Sequence, residues 1–355
     1  MKKPVFVHLH VHSAYSLLEG ALPVKALAKL AVADGQPALA ITDRNNLFGA
    51  LEFSETLAAE GVQPIVGCSL TVSFPPAEAE SPRPGGRQTH NCGTLVLLAK
   101  DAEGYRNLMR LSSQAFLDSA ESGTPQVSSA PLEGSAGGLI ALSGGPEGPA
   151  DKAFAAGNRS VAEARLDSLQ AVFGNRFYVE IQRHGLARER LAEAELCEWA
   201  YRRSVPIAAT NEAYFPKRES YDAHDALLCI ADGRYVAEDD RRRLSPEHYL
   251  KTQAEMAALF ADLPEALEST VEIARRCAFR PRVQKPILPQ FVPAAANAAE
   301  AEAAELRGQA VAGLAARMAS MPEQVRAASE ADYRARLDYE LDVIIRMKFP
   351  GYFLI

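Results

Sequence analysis

The sequence predicts an α/β fold, a barrel of seven strand–helix units followed by a helical segment. Short apolar runs recur through the first two thirds of the chain, and a helical pattern follows most of them. A proline-rich stretch at 281–293 ends this alternation, and an Ala- and Glu-rich stretch follows. The 355 residues leave room for two or three domains, because a domain has about 150 residues. We predict one domain at 1–285 and a second segment at 286–355.

Seven apolar runs are predicted to be strands. Short runs without polar interruption are typical of strands that are buried on both faces. The predicted strands lie at 5–9, 38–41, 64–67 (extending towards 72), 95–98, 139–142, 177–181 and 206–209. Strands that alternate with helices indicate a parallel sheet with the helices outside it. Seven units favour a barrel, although an open sheet would show the same periodicity.

Helices are predicted between these strands. In the first, Val24, Leu27, Ala28 and Ala31 repeat at i, i+3, i+4 and i+7, which is the spacing of one buried helix face. The predicted helices lie at 24–31, 47–58, 103–117, 160–173 and 187–203.

Three connections stand out by composition. Residues 74–93 and 118–138 are rich in Pro, Gly or Ser and are predicted to run over the surface. The charged run at 238–243 is predicted to be a solvated loop, with contact to a phosphate group as the alternative reading.

The last part of the chain is predicted to be helical. One helix is expected at about 297–318, and a second carries Tyr333, Leu337, Leu341 and Ile344 on one face. The chain stops within the apolar run FPGYFLI. We expect this run to need a sheet as its partner, and we expect the chain to be a fragment of a longer polypeptide.

Composition narrows the class of protein. A hydrophobic fraction of 48% and a charged fraction of 23% are those of a globular protein, which excludes extensive disorder. The net charge of −7 argues against a free-standing nucleic-acid module, which is usually basic. The five cysteines are widely spaced, and the sequence shows neither a secretory signal nor an apolar run of membrane-spanning length. We therefore expect a cytoplasmic protein without a membrane partner.

The candidate chemistry begins at the N-terminus. His8, His10 and His12 alternate along the first predicted strand, so their imidazoles would form a column on one face. Neutral imidazole is a common metal ligand. The spacing is therefore compatible with a metal site, and equally with three structural histidines that are hydrogen-bonded within the fold.

Further polar residues follow other predicted strands at the same end of the barrel, where such folds place their sites. They are Glu19, Asp43, Arg44, Asn45, His184, Asn211 and Glu212. The sequence contains neither a glycine-rich phosphate loop nor a G-x-S-x-G nucleophile motif.

These residues resemble a known family. FVHLHVHSAYSLLEG at 6–20 is similar to the opening of the PHP (polymerase and histidinol phosphatase) domain and, more narrowly, to that of the C-family bacterial replicative DNA polymerases. PALAITDRNNLFG, GLIALSGG, FYVEI and the terminal FPGYFLI fit the same family, so the resemblance covers the whole chain. It implies a PHP-type distorted (βα)7 barrel that resembles a TIM barrel, followed by the helical start of the polymerase palm.

The resemblance also implies a metal centre that is incomplete here. His10 and His12 match two metal ligands, and Glu19 and Glu212 stand at aspartate positions. Arg44, Ser69, Thr94, Tyr214 and Gly145 stand where ligands are expected. The resemblance therefore implies a vestigial site that holds no metal or at most one weakly bound divalent ion. We expect Arg44 to replace the lost positive charge of the cleft and to pair with Glu19. The alternative is an Arg44 side chain that points into solvent or caps a neighbouring loop.

The family implies a function for the full-length protein. It would be a DNA-directed DNA polymerase (a nucleotidyltransferase) that uses primer–template DNA, dNTPs and Mg²⁺, with its catalytic aspartates outside these 355 residues. The PHP domain would be an inactive scaffold that docks the proofreading exonuclease (epsilon) subunit, while the sliding clamp and clamp loader would bind elsewhere. The alternatives are an active metal-dependent phosphoesterase or 3′–5′ exonuclease, and an error-prone paralogue.

Overall fold

A computed structural model describes residues 5–75, 92–119, 125–285, 291 and 297–355. The chain divides into two compact units, Met1–Arg282 and Val283–Ile355.

A curled mixed sheet forms the centre of the first unit. Its strands are β1 (Ala38–Ile41), β2 (Gln63–Ser73), β3 (Cys92–Ala99), β4 (Val127–Ser128), β5 (Leu139–Leu142), β6 (Phe177–Gln182) and β7 (Ile207–Thr210). The order is β1-β2-β3-β5-β6-β7, with β4 beside β2. Strand β3 runs antiparallel to both β2 and β5, so the prediction of a wholly parallel sheet is wrong. An apolar run that is buried on both faces gives no information on whether the strand is parallel or antiparallel to its neighbours. The sequence pattern therefore could not reveal that β3 is reversed.

The N-terminal segment closes the sheet into a distorted barrel. His8 O accepts from Ala40 N at 2.9 Å on one side, and His12 N donates to Ala213 O at 2.9 Å on the other. The segment thus lies between β1 and the residues after β7. Its pairing is limited to an isolated bridge between Val11 and Ala213, so the regular strand predicted at 5–9 is not formed.

Helices pack around this sheet. They are α1 (Val24–Ala33), α2 (Ala50–Ala59), α3 (Ala102–Leu117), α4 (Ala130–Ser135), α5 (Pro149–Ala155), α6 (Arg159–Phe173), α7 (Ala187–Arg203), α8 (Tyr221–Asp232), α9 (Gln253–Leu259) and α10 (Pro264–Arg276). All five predicted helices are present, and α4, α5 and α8 to α10 are additional. In α1 the buried residues are the four that the apolar spacing selects.

The interior of the barrel is apolar at one end of the strands and polar at the other. An apolar cluster that includes Val7, Ile65, Ile140 and Tyr178 fills one end. Further along β6, Glu180 follows two residues after Tyr178 on the same face and is fully buried. Buried polar side chains therefore lie at this end of the strands, which we call the rim of the barrel.

Two predicted surface connections are partly buried. In 118–138, Val127 and Leu132 belong to the main apolar core, because the segment adds β4 to the sheet. In 238–243, the Arg241 side chain is only 2% exposed and pairs with Asp225. Residues 76–91 of the connection predicted at 74–93 lie outside the described residues.

The second unit consists of α11 (Ala298–Ala319), α12 (Glu323–Arg346) and α13 (Pro350–Leu354). Of the stripe predicted on α12, Leu341 is buried and Tyr333 is exposed. The terminal apolar run forms the short helix α13, and its need for a sheet as partner stays a prediction. None of the helices in the described parts of the chain is long and apolar enough to span a membrane.

Candidate metal centre at the barrel rim

Two of the three predicted histidines meet at the rim. The ring centroids of His10 and His12 lie 5.2 Å apart, and both side chains are fully buried. His8 points elsewhere, because its Nε2 lies 2.7 Å from Lys251 O. Its burial lowers the pKa of His8 to about 4. The predicted column of three imidazoles is therefore wrong for His8, since the segment is not a regular strand.

Glu212 completes a group of three potential ligands. Its Oε1 lies 3.8 Å from His10 Nε2 and 3.5 Å from His12 Nε2. Among the described residues, the ligand atoms of His10, His12 and Glu212 all lie within 4.8 Å of one another. Glu212 has a φ of 39°, a left-handed conformation that is unfavourable for a non-glycine residue and often marks functional sites.

Tyr214 fills the side of the site where the resemblance implies a histidine. Its ring stacks on His12 with centroids 4.3 Å apart, and its hydroxyl donates to Glu212 Oε1 at 2.8 Å. The same hydroxyl accepts from Arg44 Nη2 at 3.0 Å. The Tyr214 hydroxyl thus links the Glu212 carboxylate to the Arg44 guanidinium through two hydrogen bonds.

Arg44 and Glu19 form an ion pair across the cleft. Arg44 Nε donates to Glu19 Oε2 at 2.6 Å, which is the contact expected from the sequence. The second oxygen of Glu19 accepts from Arg242 Nη1 at 2.8 Å. The Glu19 carboxylate is therefore engaged by two guanidinium groups from different loops.

A second layer orients His10. Glu180 Oε1 lies 2.7 Å from His10 Nδ1, and Glu180 Oε2 accepts from Gly144 N at 2.9 Å. On the other ring nitrogen, Ser69 Oγ lies 3.0 Å from His10 Nε2. A carboxylate behind a histidine fixes the ring orientation and raises its basicity, as it does in many metal sites.

The electrostatics of the cleft favour the charged forms of Glu212 and Arg44. Burial works against the charge on Glu212, but His10, His12 and Arg44 outweigh it and hold the pKa of Glu212 well below its usual value. Burial likewise works against the charge on Arg44, yet Tyr214, Glu19 and Glu212 raise its pKa. Arg44 is therefore a permanent positive charge beside His10 and His12.

Other polar residues predicted at the rim have structural partners. Asp43 accepts from Ser13 N, Ser13 Oγ and Ser16 Oγ. His184 lies between Glu189 and Asn211 O. These contacts hold the loops that carry the site, but they place Asp43 and His184 in supporting roles.

The sequence did not predict three residues that contact the site residues: Glu180, Ser16 and Arg242. Glu180 has a recognisable signal, since it is the one charged residue in the apolar strand FYVEI. Arg242 lies 223 residues from Glu19 along the chain, and no local pattern links the two.

The donor set fits one metal ion. Among the described residues, His12 Nε2 is buried without a hydrogen-bond partner, and two imidazoles with one carboxylate are a familiar three-ligand set for zinc. The part of the chain that the structure describes adds no further His, Cys, Asp or Glu ligand to this group. Glu19 is taken by Arg44 and Arg242, and Ser69, Thr94 and Tyr214 supply neither an imidazole nor a carboxylate.

Comparisons with known proteins identify the family. Residues 8–184 match the PHP domain. The chain is 50% identical over 353 residues to the DNA polymerase III subunit alpha of Caulobacter vibrioides, covering 99% of this chain and 30% of that protein. It is 40% identical over 359 residues to the same subunit of Vibrio cholerae, covering all of this chain and 30% of that protein.

A solved structure is more distantly similar. An amidohydrolase from Chromobacterium violaceum shares 16% identity with a TM-score of 0.38, covering 62% of this chain and 96% of that one. Similarity at this level carries no argument about function.

Residues 8–184 therefore belong to the PHP domain family. Along its whole length the chain is homologous to bacterial DNA polymerase III alpha subunits, which confirms the resemblance seen in the sequence. It spans about 30% of the length of these curated relatives.

Proposed function

We propose that this chain is part of a replicative DNA polymerase, and that its PHP domain is an inactive scaffold that docks the proofreading exonuclease (epsilon) subunit. The full protein would extend primers on template DNA with dNTPs and Mg²⁺ in the cytoplasm, together with a sliding clamp and clamp loader. No residue described here is assigned to nucleotide transfer. The sequence similarity to the polymerase subunits along the whole chain supports the polymerase part of this proposal.

One observation carries the scaffold part, namely the double pairing of Glu19. In a hydrolytic metal centre, an inward-facing carboxylate has to be free to bind a metal ion. Here Arg44 and Arg242 occupy both oxygens of Glu19, at 2.6 Å and 2.8 Å. Arg44 thus supplies the positive charge that a metal would otherwise provide, and it holds the loops in place without catalysis.

The scaffold role is tested by separating binding from hydrolysis. We expect the chain to form a stable complex with the exonuclease subunit of the same organism in size-exclusion chromatography, and EDTA should leave the complex intact. All 3′–5′ nuclease activity should reside in the partner. Failure to form the complex would contradict docking, and nuclease activity of the chain alone would contradict inactivity.

The polymerase part has its own test. The protein expressed from its intact gene should extend a primer in the presence of Mg²⁺ and dNTPs, and changes at His10 or Glu212 should leave this activity unchanged at permissive temperature. Absence of primer extension would refute the polymerase assignment but not the docking role.

A second candidate function is a phosphoesterase with a single metal ion. It is favoured by the unpartnered Nε2 of His12 and by its proximity to Glu212. If it is correct, added Zn²⁺ or Mn²⁺ should produce hydrolysis of 3′-ended DNA or phosphomonoesters, and His12→Ala should abolish it.

A further inference from the structure

Helix α3 presents an outer face that combines exposed apolar and basic side chains. Met109, Phe116 and Leu117 are 40%, 50% and 78% exposed. Met109 and Phe116 are seven residues apart and Leu117 lies one position further, so all three lie on one side of the helix. Exposed apolar residues that are scattered singly are ordinary, whereas several on one face indicate an interaction surface.

Two arginines border these apolar residues. Arg106 and Arg110 are exposed and one turn apart, and within the described parts of the chain neither forms an ion pair with an acid. The nearest acid on this helix, Glu103, has its carboxylate against Gly137. The outer face is therefore basic in a protein whose net charge is −7.

The opposite side of α3 fixes the helix firmly to the barrel. Leu108, Leu111 and Ala115 are fully buried in the main core. Asp101 caps the first turn by accepting from Gly104 N, and Ser112 Oγ donates to Asn45 O at 3.0 Å. A rigid helix that presents an unpartnered face needs little ordering on binding, which favours recognition.

We propose that this face docks an acidic amphipathic helix of a partner protein. The apolar side chains would pack against the partner's apolar stripe, and Arg106 and Arg110 would pair with flanking Glu or Asp residues. The proposal goes beyond the function proposed above and does not depend on it, because it involves neither the metal centre nor polymerisation.

Other occupants fit less well. A second copy packed symmetrically on the same face would bring arginines against arginines. Nucleic acid would use the two cations, but it would leave the Met109 and Leu117 side chains without an apolar partner. An acidic amphipathic helix satisfies both features at once.

The test uses two synthetic helical peptides with the same apolar stripe, one flanked by Glu and the other by Lys. Their binding to the full chain is measured by fluorescence anisotropy. We expect the Glu peptide to bind at least tenfold more tightly than the Lys peptide. The charge reversal Arg106→Glu/Arg110→Glu should invert this preference, and Phe116→Ser/Leu117→Ser should weaken binding of the Glu peptide at least tenfold.

Matched controls lie on other helices. Lys25→Glu/Lys29→Glu reverses two exposed cations of the same spacing on α1, and Ile230→Ser removes an exposed apolar side chain of α8. Both should leave peptide binding within twofold of wild type, and circular dichroism should show every variant folded.

Four outcomes would overturn the proposal. They are no binding of the Glu peptide, equal binding of both peptides, equal loss in the control variants, and self-association in sedimentation that Leu117→Ser abolishes. Binding of a single-stranded DNA oligonucleotide that is lost in the Arg106/Arg110 variant, without peptide binding, would assign the face to nucleic acid instead.

Discussion

Arg44 and Glu19 lie on two loops of the barrel rim and form an ion pair with Nε and Oε2 2.6 Å apart. Their side chains are 26% and 17% exposed, so the pair is neither a surface contact nor fully enclosed. Burial works against the charge on Glu19, but Arg44 and Arg242 lower its pKa overall. The cleft therefore has an internal source of positive charge at the place where the family resemblance implies metal ions.

We predict that Arg44→Ala destabilises the first unit by about 1.5–3 kcal/mol, which is the range for a lost hydrogen bond to a charged group. Arg44→Ala leaves Glu19 Oε2 without its partner, while Arg242 still contacts Oε1. The double variant Arg44→Ala/Glu19→Gln should recover part of this loss, because the oxygen left without Arg44 then belongs to a neutral group. Chemical denaturation of the four proteins gives the coupling free energy. The Arg203–Asp167 pair, exposed by 46% and 42%, is a matched control that should couple by about 0–1 kcal/mol. A cycle at Arg44 and Glu19 that shows no more coupling than this control would refute charge substitution.

We predict that the purified protein holds at most one divalent ion per chain. The described residues bring three ligand atoms together, and Arg44 adds a positive charge beside them, which should weaken metal binding. Inductively coupled plasma mass spectrometry measures the content, and EDTA treatment should leave the thermal midpoint nearly unchanged. Two or more tightly bound ions per chain would contradict this prediction, and a single ion should be lost in His12→Ala.

The sequence predicted much of this arrangement but not its most distant parts. Alternation at the N-terminus selected His10 and His12, and the ends of apolar runs selected Arg44 and Glu212. Arg242 could not be predicted, because a loop conformation sets its contact with Glu19 and no periodic pattern does so. His8 was misplaced because the segment bonds to neighbours on both sides without regular strand pairing, so alternation does not hold along it.

In the fold, as in the site, the sequence predicted features that depend on neighbouring residues and missed those that depend on distant contacts. Apolar runs predicted the positions of β1, β5, β6 and β7 closely, because the burial of a short segment depends on the hydrophobicity of its own residues. The antiparallel direction of β3 depends on the chain path between strands, and an apolar run carries no direction. Likewise, the terminal run Phe353-Leu354-Ile355 is apolar enough for a strand, but Pro350 can begin a helix, and this segment forms α13.

We predict that residues 297–355 exchange amide hydrogens faster than the barrel. Few of the described side chains in this segment are buried, with Met318 and Leu341 as the apolar examples. Fewer buried contacts lower the free energy of local opening. Hydrogen exchange with mass spectrometry should show weak protection in α11 and α12, with β2, β3 and β6 as the protected reference. Equal protection in both units would contradict this difference in stability.

We predict that Asp151 makes the first unit less stable as the pH rises. Asp151 is buried in α5, and its Oδ2 has no hydrogen-bond partner among the described residues. Burial, followed by the nearby negative charges of Glu180 and Glu189, raises the pKa of Asp151 well above its usual value, and Arg188 opposes this only in part. The folded state therefore holds a proton that the unfolded state releases. This contribution is fully present below the unfolded pKa of about 3.9, and it is lost as the pH rises towards the folded value.

Asp151→Asn replaces the protonated carboxyl with a neutral group of the same shape. It should raise the free energy of unfolding at neutral pH, and this gain should shrink as the pH falls towards 4. Urea denaturation of both proteins across this range measures the difference, with the exposed Asp222→Asn as the control, which should show no comparable trend. A gain from Asp151→Asn that stays constant with pH would show that the Asp151 carboxyl does not titrate in this way.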